Sequence, residues 1–74
     1  MPSPIAEKAI AMISPSVGDF LARAKVTAAC KRAHLDVEKL DRKDLAAFAP
    51  QLAVICESLG HTVASQLEKN VLAL

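Results

Sequence analysis

The chain has 74 residues, of which 9 are Lys or Arg and 8 are Asp or Glu, so its formal net charge is +1. That length holds one domain, residues 1–74, and excludes a two-lobed enzyme with a cleft between its halves. The near-balance of charge excludes a strongly basic nucleic-acid arm and an acidic tail.

Ala contributes 14 residues and Leu 9, against 2 Gly and 2 aromatics, Phe20 and Phe48. Ala and Leu favour helix, and scarce Gly argues against tight hairpins. The expected fold is all-α, a compact bundle of four short helices, over about 4–13, 16–34, 42–59 and 62–73. No run of about 18 uncharged apolar residues is present, so no transmembrane helix is expected. The opening Met1-Pro2-Ser3-Pro4 lacks the basic region of a secretory signal. The expected location is therefore cytoplasmic, with Cys30 and Cys56 as thiols.

The first helix is expected to start with Ser3 as cap and Pro4 at its first position. Ile5, Ala6, Ala9, Met12 and Ile13 share one face, with Ile10 away from it. Ser14-Pro15-Ser16 should end the helix, because a Pro disfavours helical geometry in the residue before it. The second helix then starts from a cap at Ser14 or Ser16 and runs to about His34. At about 100° per residue its apolar residues form two opposite sides. Val17, Phe20, Leu21, Ala24 and Ala28 make one; Ala22, Val26, Ala29, Cys30 and Ala33 make the other. Lys25 and Arg32 lie on one seam between them, Arg23 and Lys31 on the other. A helix apolar on both sides belongs between two neighbours.

Leu35–Leu40 reads as a connector with one turn begun at Asp36. Asp41 and Asp44 have the spacing of a capping box and open the third helix. Its apolar stripe is the strongest in the chain: Leu45, Phe48, Ala49, Leu52, Ile55, Cys56 and Leu59. Pro50 should kink it, and Gly60 should stop it in a left-handed conformation. The fourth helix begins near Thr62, with Val63, Leu67, Val71 and Leu74 as its stripe and Ala64 beside it. Leu72 projects away.

Four constellations bear on chemistry. Cys30, His34, Cys56 and His61 are residue types that a structural zinc site uses. They lack a C-x2-C knuckle, and Cys56 falls in an apolar stripe where a thiol packs as a small hydrophobe. A Cys–His nucleophile on one helix has no pocket and no orienting third group, so no catalysis and no cofactor are expected. Seven basic residues lie between Arg23 and Lys43, and against Asp36, Glu38 and Asp41 they leave a local charge of +4. That permits phosphate contact, and the second and third helices can be read as a helix-turn-helix, but the third has no side-chain series to read bases. The serines lack the Asp-Ser-Leu context of an acyl carrier.

What remains is surplus apolar surface. A small domain has few neighbours with which to cover both sides of its second helix. The function expected from the sequence is a small helical interaction module, a homodimer or an adaptor. Its interface is expected on Ala22, Val26, Ala29, Cys30 and Ala33, whose small side chains admit a close helix. A nucleic-acid-associated protein using the basic residues from Arg23 to Lys43 is the alternative. A Cys/His metal-stapled domain is the second alternative.

Overall fold

The computed structural model describes all of residues 1–74 and is all-α. Four α-helices follow one another: α1 Pro4–Val17, α2 Asp19–Arg32, α3 Leu45–Ile55 and α4 His61–Leu72. Single 3-10 turns, Arg42–Asp44 and Cys56–Leu59, extend α3 at its two ends. The helical run 42–59 is thus an α-helix with tightened ends. Helix α2 packs on α1 and on α3, and α3 packs on α4. A core cluster of 17 buried residues draws on every helix and on Leu40 of the connector.

Helix α1 starts as its sequence dictates. The Ser3 hydroxyl accepts from the backbone N–H of Ala6 at 3.1 Å, and Pro4 follows it. Such a cap contributes about 1 kcal/mol. Ser3 is itself buried, and its N–H donates to the Val37 carbonyl at 3.0 Å, which ties the helix start to the connector. The end of α1 corrects the sequence expectation. Ser14, Pro15 and Ser16 lie inside the helix, which continues to Val17. Pro15 takes the N–H donor away from the Ala11 carbonyl, but Ala11 and Pro15 are both exposed, so water can replace that one bond. The Ser14 hydroxyl donates to the Ile10 carbonyl at 2.9 Å and sits on the helix without breaking it. Neither serine caps α2. Ile10, expected off the main stripe, is buried with Ile5, Ala6, Ala9 and Ile13.

The break comes one residue after Val17, at Gly18, with φ +88° and ψ 161°. A Cβ there would meet nothing, so the backbone conformation alone requires glycine. Gly60, between the third helical run and α4, has φ +108° and ψ 145°. Its φ is positive as expected, but its ψ is extended, so it is a corner and not a left-handed helix cap. The two corners share a local sequence, Ser16-Val17-Gly18-Asp19-Phe20-Leu21-Ala22 and Ser58-Leu59-Gly60-His61-Thr62-Val63-Ala64. In both, an aliphatic residue precedes the glycine and an alanine four residues after it is buried, at Ala22 and Ala64. The molecule is therefore two helical hairpins, α1–α2 and α3–α4, each turned by one glycine. Thr62, expected to cap α4, lies in its first turn behind Gly60.

Helix α2 ends in a Schellman motif. The Leu35 N–H reaches the Cys30 carbonyl at 2.8 Å, and the His34 N–H reaches the Lys31 carbonyl at 3.1 Å. His34 takes the left-handed position with φ 59°, a place usually held by Gly or Asn. Leu35 packs against the core beside it. Lys31 and Arg32 in the last turn complement the helix dipole. In the connector, the Asp36 carboxylate accepts from the Glu38 N–H at 2.9 Å. The capping box at Asp41 and Asp44 is formed, with the Asp44 carboxylate accepting from the Asp41 N–H at 3.1 Å. Helix α3 runs unbroken through Pro50, which is exposed together with Ala46, whose carbonyl it leaves without a donor. Leu45, Phe48, Ala49, Leu52 and Cys56 are buried, as their spacing requires, and Ile55 and Leu59 pack partly against the core. On α4, Ala64, Leu67 and Val71 are buried, whereas Val63 is exposed.

Candidate protein-interaction face

Helix α2 is apolar on both sides, and the tertiary structure turns them opposite to the sequence expectation. Ala22, Val26, Ala29 and Cys30, proposed as the interface, are buried in the chain's own core, and Ala33 is half-buried. The reason is size. Two Ala, one Val and one Cys let α1 and α3 approach α2 closely, so this side forms the seam that holds the bundle together. Ala22, Val26, Ala29 and Cys30 cannot receive a partner without unfolding, which leaves only the half-buried Ala33 of the five accessible, and the interface assignment is corrected accordingly.

The other side of α2 faces out. Phe20 is 83% exposed and Leu21 49% exposed. Ala24 is exposed, and Thr27 and Ala28 are half-buried along the same strip. Together Phe20, Arg23, Ala24, Thr27, Ala28 and Lys31 line an open groove of about 490 Å³. Its floor is low because Ala24 and Ala28 are short. Phe20 stands at one end and Lys31 at the other. Covering a Phe that is otherwise left in water is favourable by about 2 kcal/mol.

Charge is unevenly placed around this strip. Arg23 is neutralised within the chain: its guanidinium lies 2.9 Å from Asp19 and 3.3 Å from Glu7, and the Asp19 hydrogen bond followed by that of Glu7 raises its pKa further. Lys25, Lys31 and Arg32 form no ion pair. Arg32 Nε donates to the neutral Gln51 Oε1 at 3.0 Å. Of the two cations that line the groove, Arg23 is paired and Lys31 is not.

The other constellations are dispersed by the fold. Cys30 and Cys56 are free and buried, while His34 is exposed. His61 is exposed and pairs its Nδ1 with Glu57 Oε1 at 3.2 Å. No three His, Cys, Asp or Glu side chains stand where they can share a metal ion. The basic residues from Arg23 to Lys43 are spread over α2, the connector and the turn before α3. The outward residues of α3 include Ala46, Ala47, Pro50 and Val54, none of which can hydrogen-bond a base edge. No helix is long and apolar enough to cross a membrane.

Burial pushes the Cys30 thiol up to about 11, with Asp36 and Asp44 adding to it, and burial also raises Cys56. Both thiols are held in the protonated, unreactive form. In the unfolded chain they ionise near the ordinary value of 9.0. The unfolded state thus loses protons first, and stability falls as pH rises from about 9 towards 11. Thermal melts across that window are expected to show a declining Tm. Replacing both cysteines with Ala should lower Tm at neutral pH but flatten the alkaline decline.

Comparison with protein-family models, with curated proteins and with solved structures finds no match to this chain.

Proposed function

We propose that the chain is a small helical protein–protein interaction module that receives its partner on the outward side of α2, with no catalysis of its own. The observation that carries this reading is Phe20, 83% exposed at the end of a groove floored by Ala24 and Ala28. Single exposed apolar residues are ordinary on a protein surface. Here Phe20, Leu21, Ala24 and Ala28 are contiguous along one helix, and a contiguous patch is what marks an interaction site. An aromatic beside small residues also has the make-up of an interface anchor. The occupant is a second copy of the chain or a different protein.

The deciding experiment compares wild type with Phe20→Ser. Wild-type protein is expected to sediment above its monomer mass of 7.8 kDa, either alone at high concentration or with cell extract. Phe20→Ser should remain at monomer mass under both conditions, with its helical circular dichroism unchanged. If wild type is monomeric under both conditions, or the variant associates equally well, the reading fails.

A further inference from the structure

The three turns of the chain are built differently. Gly18 and Gly60 make the corners inside the two hairpins, in conformations that glycine alone adopts at low cost. The turn between the hairpins breaks instead at His34, the sole residue other than glycine with a positive φ, 59°. That left-handed conformation is disfavoured for a residue with a Cβ. No Gly or Pro stands anywhere between Gly18 and Pro50, so nothing in the backbone chemistry forbids helix through the connector. Periodicity supports it. Ala22, Val26, Ala29, Ala33, Val37 and Leu40 fall within an arc of about 80° on a continuous helix. Val37 and Leu40 thus extend the inward side of α2 across the connector.

We propose that the connector is a hinge with two states, and that its helical state pairs two copies of the chain by exchange of hairpins. Straightened through residues 33–41, it joins α2 to α3 in one helix from Asp19 to Ile55, about 55 Å long. The α1–α2 hairpin of one copy then packs on the α3–α4 hairpin of the other, so the contacts of α2 with α3 are remade between copies. The hydrogen bonds from Leu35 to Cys30, from His34 to Lys31 and from Ser3 to Val37 are given up, and helical backbone bonds form in the connector. Leu40, buried in the closed chain, and Val37 meet their counterparts across the twofold axis. Exchange requires α2 and α3 to part and expose the core, so it takes place during folding at high concentration and not in the folded monomer. The outward side of α2 takes no part in it, and the hinge stands independently of the role proposed for that side.

The test unfolds the full chain in urea and refolds it by dilution at chain concentrations from about 1 μM to about 1 mM. Sedimentation and small-angle X-ray scattering follow. A dimer is expected as concentration rises, with undiminished helical circular dichroism and a longest dimension about twice the monomer's Cα extent of 28 Å. His34→Ala replaces a residue that tolerates the left-handed state with a stronger helix former, so its dimer should appear at about tenfold lower concentration. His34→Gly holds the left-handed state at low cost and disfavours helix, and should need at least about tenfold higher concentration. Phe20→Ser should dimerise like wild type after refolding. Circular dichroism of the monomers verifies that the variants fold. Equal dimerisation of His34→Ala and His34→Gly would overturn the hinge, as would a dimer no longer than the monomer. Loss of the refolded dimer in Phe20→Ser would overturn it and assign the contact to the outward side of α2. Absence of a dimer in both wild type and His34→Ala at the highest concentration would also overturn it, and would leave untouched the reading of the α2 face, which is tested on protein never unfolded.

Discussion

Val26→Glu is expected to unfold the chain. Val26 is fully buried at the middle of α2, on the side packed between α1 and α3. No buried side-chain N or O atom lacks a hydrogen-bond partner, so the core is polar-satisfied and offers nothing to receive a carboxylate. An ionised carboxylate placed there costs several kcal/mol after relaxation. A domain of this size has total stability of about 4–11 kcal/mol. The charge therefore consumes most or all of it. Circular dichroism at neutral pH should show lost helical signal. Partial recovery is expected on acidification, because a buried carboxyl has a raised pKa and returns to its neutral form early. A variant that keeps the wild-type Tm would return the Ala22–Ala33 side to the surface and reopen it as an interface.

The second large effect separates the two phenylalanines. Phe48 is fully buried and is the sole aromatic of the core, whereas Phe20 stands in water. Phe48→Ala is expected to cost about 3–5 kcal/mol, from lost transfer energy and the cavity left behind. Phe20→Ala should change stability by less than about 0.5 kcal/mol, the range of surface substitutions. Urea unfolding reads both as shifts in midpoint at constant slope. A small effect at Phe48 would dismantle the assignment of α3's inner face. A large effect at Phe20 would mean that this side chain belongs to the fold and not to a docking surface.

Local rules account for much of the molecule. The Ser3-Pro4 start, the Asp41–Asp44 capping box and the stripe Leu45, Phe48, Ala49, Leu52 and Cys56 all follow from spacing and side-chain chemistry, and each is formed. The proline rule failed at Pro15, where the helix loses one bond on a solvated side and continues. The corner moved to Gly18, whose positive φ is available at low cost to glycine alone. The pairing of that corner with Gly60 is visible in the two short matching segments, but its meaning emerges only when both are seen to turn a helical hairpin.

The amino-acid order alone determined that four helices form, and that α2 carries apolar residues front and back. It left the orientation of α2 undecided, because a helix with two greasy sides has no preferred inward direction by periodicity. Tertiary packing made that choice through volume. The side with Ala22, Val26, Ala29 and Cys30 lets two neighbouring helices close on it, while Phe20 on the other side would hold them apart. The same packing left Lys31 on the lining of the outward groove with no carboxylate to answer it. The groove and its uncompensated charge are thus products of the assembled bundle, since both depend on which residues the core had already taken.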